Sequence, residues 1–80
     1  MDKNEFEGKW ELIRSQTQKW WSRITESDLI KIDKAEIKFL QFVTLLQTKY
    51  RYDRQLAKDE IARHVAEYET NVKANAVTIH

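Results

Sequence analysis

His64 and the Trp20-Trp21 pair are the residues of this chain whose types and spacing come closest to chemistry. Glu60 lies four residues before His64 and Glu67 three after it. On a helix those spacings share one face, so all three side chains can reach one patch. Such a patch offers two or three metal ligands, or an imidazole paired with a carboxylate for proton transfer. A ferritin-like dinuclear site needs further inward carboxylates from other helices. The segments around Trp10 and Phe42 turn aromatics and aliphatics inward instead. The expectation is a packed histidine hydrogen-bonded to a carboxylate. No catalytic residue, metal ligand or cofactor is assigned, and a small metal-binding protein centred on His64 stands as an alternative function.

Trp20 and Trp21 allow one ring to enter a core while the other sits at its edge. Arg14, Lys19 and Arg23 surround them, with no acid between Glu11 and Glu26. Lys38, Lys49 and Arg51 form a second acid-free stretch. Aromatics among basic residues can stack bases and hold phosphates. The same arrangement arises when Lys and Arg stems lie over the edge of an apolar core. The second reading is preferred, and a weak nucleic-acid-binding module using Trp20 with Lys19 and Arg23 is kept as the other alternative. Lys19, Trp20 and Arg23, with Phe42 and Leu45 from a broad apolar segment, form the candidate partner surface.

Other constellations fail on inventory. The chain has no cysteine, which excludes thiol nucleophiles and thiolate metal sites. A phosphate-cradling loop needs several glycines, and Gly8 is the only one. A Ser-His-Asp triad needs a deep, rigid scaffold, which a few short helices do not supply.

The elements that position these residues read as helices. Proline is absent, and Lys, Glu, Gln, Leu and Ala are abundant. Phe6, Trp10, Ile13, Thr17, Trp20, Trp21 and Ile24 recur at the helical period within a stripe about 100° wide, predicting a helix near 4–22 capped by Asp2 or Asn4. Glu5 and Lys9 stand four apart in the favourable order. Thr25-Glu26-Ser27-Asp28 reads as a capping box that opens a short helix near 26–33, with Leu29, Ile30 and Ile32. A bend near Asp33 or Lys34 leads into a helix near 35–50. There Phe39, Leu40, Phe42, Val43, Leu45, Leu46 and Tyr50 cover an arc of about 220°, the mark of a central helix with several neighbours. Asp53 is the expected N-cap of a last helix near 54–72, with Ala57, Ile61, His64, Val65, Tyr68 and Val72 on one stripe and an Asp59–Arg63 pair.

The balance of charges bounds the function. Lys and Arg number 14 against 13 Asp and Glu, a net charge of +1. This gives no strong field for nucleic acid or anionic lipid. Eighty residues make one domain, one that buries only about 60–65% of its unfolded surface. The absence of cysteine favours a reducing cytoplasm. Met1-Asp2-Lys3-Asn4-Glu5 lacks the layout of a signal peptide, and no apolar run approaches the roughly 20 residues of a membrane span.

Taken in order, several residues resemble a known pattern. Gly8-Lys9-Trp10, then Trp21, then Ile24-Thr25-Glu26-Ser27-Asp28-Leu29, then Tyr50, Tyr52, Asp53, Ala57, Glu60 and Ile61 resemble the CsbD-like family of small bacterial general-stress proteins, over about residues 4 to 69. That family often places glycines where Ser22, Lys34 and Arg51 stand here. The segment between Ile32 and Tyr50 is also about one helical turn longer. The resemblance implies a bundle of two packed helical hairpins, induced under stress in the bacterial cytoplasm, with no catalytic residues.

The expected architecture is therefore all-α: a small four-helix bundle, a single domain over 1–72 with a frayed tail at 73–80. The expected function is that of a non-enzymatic stress-response protein acting by binding or by abundance. It is expected to be a monomer or weak homodimer with an unidentified protein partner, no strong nucleic-acid binding and no membrane. Trp10, Trp21, Leu29, Phe39, Val43, Leu46, Ile61 and Tyr68 are the expected core.

Overall fold

The computed structural model describes residues 1–78, with side chains described for residues 1–72. Among the described residues every regular element is a helix: α1 (Lys3–Gly8), α2 (Trp10–Trp20), α3 (Glu26–Asp33), α4 (Lys38–Tyr50) and α5 (Arg54–Thr78). Asp2 caps α1, its carboxylate accepting from the Glu5 N–H at 2.8 Å.

The single first helix expected over 4–22 is interrupted at Lys9, so the bundle has five segments rather than four. Gly8 is the weakest helix former present, about 1 kcal/mol worse than alanine within a helix. Lys9 leaves helical geometry beside it, at φ −103° and ψ 7°. The apolar stripe nonetheless holds across the interruption, and Phe6, Trp10, Ile13 and Thr17 are all buried. The Thr17 hydroxyl donates to the Ile13 carbonyl at 2.7 Å, which satisfies it without a partner from another helix.

The first helical run also ends earlier than expected. Trp21 is extended, at φ −135° and ψ 93°. That turn of the backbone sends Trp21 and Ile24 into the core from a loop, where helical periodicity had placed them on a stripe.

α3 begins at the expected capping box. The Thr25 hydroxyl accepts from the Asp28 N–H at 3.2 Å, and the Asp28 carboxylate accepts from the Thr25 N–H at 2.9 Å. The bend after Asp33 is longer than expected. Ala35 to Ile37 are not helical, and Ile37 is extended, so α4 starts at Lys38. The extra residues let the chain reverse and bring Phe39 against Phe6, with ring centroids 5.3 Å apart.

α4 is the hub that its wide apolar arc requires, packing against α1, α3 and α5. Phe39, Phe42, Val43 and Leu46 are buried around it. It ends at Arg51, whose φ of 58° and ψ of 28° are left-handed. Left-handed geometry at a helix C-terminus is the conformation that favours glycine, and here an arginine adopts it. Asp53 caps α5, its carboxylate accepting from the Leu56 N–H at 2.7 Å.

Seven of the eight expected core residues are buried, and Tyr68 is half-buried. Beyond Val65, α5 runs past the core that the other helices enclose. Its backbone continues to Thr78. The side chains of 73–78 and all of 79–80 lie outside the described residues, and the tail expected at 73–80 falls there. No described helix is long and apolar enough to cross a membrane.

Candidate functional site

His64 and Trp20 do meet, but not as ligand and base-stacker. The imidazole lies on the Trp20 indole with centroids 5.2 Å apart and planes 21° from parallel. It meets the Trp21 ring edge-on, 4.7 Å away at 70°. Tyr68 approaches Trp20 edge-on at 6.3 Å, and Phe42 lies behind Trp21 at 5.5 Å. The expected pairing of two tryptophans holds, with Trp21 buried and Trp20 half-buried at the edge.

The expected histidine–carboxylate hydrogen bond is absent. The nearest Glu60 oxygen is 3.8 Å from Nε2, beyond hydrogen-bond reach. The competitor is Arg63, whose guanidinium hydrogen-bonds Glu60 and also reaches Glu67 at 3.2 Å. This corrects the Asp59–Arg63 pair as well, because Asp59 instead accepts from the Gln55 amide at 2.9 Å. An arginine has donors for two carboxylates, and positions three before and four after it lie on the same face. Burial against the indoles pushes the His64 pKa down from 6.5, and the neighbouring Arg63 charge adds to this; Glu60 and Glu67 oppose it. The balance favours the neutral ring. Among the described residues no three His, Asp or Glu side chains form a group that would hold a metal ion.

The candidate partner surface divides. Lys19 is exposed, and so is the side chain of Arg23. Arg23 is nonetheless tied down: its backbone N–H donates to the Tyr50 hydroxyl at 2.8 Å, and its guanidinium lies 5.5 Å from that ring's centroid. Phe42 is fully buried among Phe6, Trp10 and Trp21 and presents nothing to a partner. Leu45 is half-buried against the core. Phe39, Phe42, Val43 and Leu46 are spent on the neighbours of α4 while Leu40 stays exposed, which corrects the expectation that Phe42 contributes to a surface.

Of the basic residues flagged in the sequence, Arg14, Lys38 and Lys49 are engaged internally. Arg14 bonds Asp33 at 3.0 Å and Glu26 at 2.7 Å. Lys38 pairs with Glu7 at 3.0 Å. Lys49 bonds Asp28 and also donates to the Arg23 carbonyl at 3.0 Å. Burial alone would raise the Asp28 pKa, but the Lys49 ammonium and the Thr25 N–H together hold it below 3.8.

Sequence reasoning missed the Asp33 carboxylate, which ties Trp10 to Arg14. It accepts from the Trp10 indole N–H at 2.7 Å while also bonding Arg14. Those two donors hold its pKa below the usual carboxylate value, Arg14 contributing most. A buried tryptophan with a polar handle needs such an acceptor, and that requirement is the one signal in the sequence that pointed to it.

A shallow groove of about 260 Å³ beside this aromatic cluster is lined by Leu12, Tyr68, Glu69 and Val72. Nothing in its lining converges on a reacting atom. Compared with known proteins, the chain matches no family model, no curated protein and no solved structure.

Proposed function

We propose that this chain is a non-enzymatic, cytoplasmic stress-response protein of the CsbD-like kind, acting through its surface or its abundance rather than at a reactive centre. One observation carries the reading: the residues that make up the resemblance serve the fold. Trp10 is clamped by Asp33, and Trp21 fills the core. Thr25 and Asp28 form a capping box. Tyr50 holds the Arg23 backbone, Asp53 caps α5, and Ala57 and Ile61 are buried. A motif built of caps and packing residues specifies a shape. Activity then falls to exposed groups that the motif leaves free.

The nucleic-acid alternative has less support. One face of Trp20 is covered by His64, and Arg14, Lys38 and Lys49 are bound to carboxylates. Stacking of a base on that face would have to displace the imidazole first.

The test is the level of the protein in its host before and after heat, salt and ethanol stress, with survival of a deletion strain. Induction together with poorer survival supports the proposal. A constant level and unimpaired survival refute it. Saturable quenching of tryptophan emission by single-stranded DNA or RNA at about 150 mM salt, lost in Trp20→Ala, favours the alternative.

A further inference from the structure

The α2–α5 seam is closed at one end by a ring that can change its charge. Among the described residues His64 is the one titratable group stacked on Trp20, and it also abuts Trp21. The charged groups around it come from its own helix: Arg63, with Nη2 3.5 Å from Nε2, and the carboxylates of Glu60 and Glu67. Tyr68, also on α5, meets Trp20 rather than the imidazole. The end of α2 and the loop after it contribute the uncharged rings of Trp20 and Trp21. Lys19, next to Trp20 in the chain, is exposed. α4 contributes Phe42 behind Trp21.

We propose that this seam is an acid-sensitive latch: His64 holds Trp20 against α5 as a neutral ring, and its protonation releases Trp20 and lets this end of the bundle open. A neutral imidazole lies on an indole face at little cost in hydration. An imidazolium there gives up water and faces the Arg63 guanidinium. Glu60 and Glu67 attract the new charge, but both are already bound by Arg63. The indole face also attracts a cation. The pull of burial and Arg63 is the larger and is consistent with the depressed pKa.

The full chain is examined by tryptophan emission and urea denaturation between about pH 7.5 and about pH 5, which brackets the ordinary imidazole value. Emission moves to longer wavelength and the urea midpoint falls as the pH is lowered. His64→Phe keeps a ring without the proton site and loses both changes, while the second histidine, His80, is still present. In the wild type, the His64 ring-proton shifts and the Trp20 ring shifts follow one titration curve in NMR spectra. Arg63→Gln moves that curve to higher pH. Emission that does not respond to pH, a midpoint that rises on acidification, or a response undiminished in His64→Phe each overturns the latch. If His64→Phe does not fold, separate titration curves for His64 and Trp20 in the wild type overturn it equally.

Discussion

Two aromatic clusters hold this small bundle, and they are fastened differently. At one end Phe6, Trp10, Phe39 and Phe42 form the core, and the indole N–H of Trp10 is anchored on the Asp33 carboxylate, itself held by Arg14. At the other end Trp20 lies on His64 and Trp21 closes against both rings. A carboxylate that the Arg14 and Trp10 donors hold below its ordinary pKa stays charged and fixes the first cluster over almost any working pH. The second rests on an imidazole, a group that can change its charge, whose folded pKa burial pushes below the ordinary 6.5. The same residue type thus serves as a permanent core element in one place and a conditional one in the other.

Truncation should expose this difference most. Trp10→Ala and Trp21→Ala each remove a buried indole and should cost about 3–5 kcal/mol, enough to unfold most of so small a domain. Trp20→Ala, from a half-buried site, should cost about 1–2 kcal/mol and leave a cooperative transition in urea. Equal losses at Trp10 and Trp20 would erase the distinction between the clusters.

Acid titration sharpens the contrast. The folded pKa values of Asp28 and Asp33 lie below 3.8, so their stabilising contribution is present above that value and is lost as the pH falls through the lower folded values. His64, also depressed when folded, contributes stability that is present above 6.5 and falls away as the pH drops below it. Stability followed against pH should therefore decline in two separated stages. His64→Phe should remove only the upper stage.

The helix junctions should respond on a smaller scale. Thr25→Ala and Asp53→Ala each delete a side-chain cap and should cost about 1 kcal/mol in chemical denaturation. Arg51→Gly should act in the opposite direction, stabilising by about 0.5–1 kcal/mol, because the left-handed backbone there penalises any Cβ. A destabilised Arg51→Gly would mean that the arginine side chain contributes more than its backbone costs.

Much of this was legible from residue types and spacing because it is local. The capping box at Thr25 and Asp28, the Asp53 cap, the run from Phe6 to Thr17 and the wide arc of α4 all depend on neighbours within a few positions. The features that escaped depend on partners distant in sequence or on competition between neighbours. Periodicity carried the first helix through Lys9 and Trp21 because the buried positions keep their phase across the interruption. Asp33 reads as an ordinary helix-end acid until Trp10, 23 positions away, is brought to it. Arg63 had three carboxylates within helical reach and bonded two, which left His64 to its aromatic neighbours. The residues of the candidate surface accordingly part company. Lys19 and Trp20 are at the edge, whereas Phe42 is sealed inside.

The interruption at Lys9 has a bearing on how the native state breathes. α1 is six residues long, too short to persist by itself in water. It is held from outside: by Phe6 in the core, by the Lys38–Glu7 pair, and at its junction with α2 by Lys9 on Glu69. Because the helical ladder is broken at its end, α1 can peel away without unravelling α2. Native-state hydrogen exchange should then show the amides of α1 opening as one cooperative unit below the global unfolding free energy, while those of α2 and α4 exchange only when the whole bundle opens.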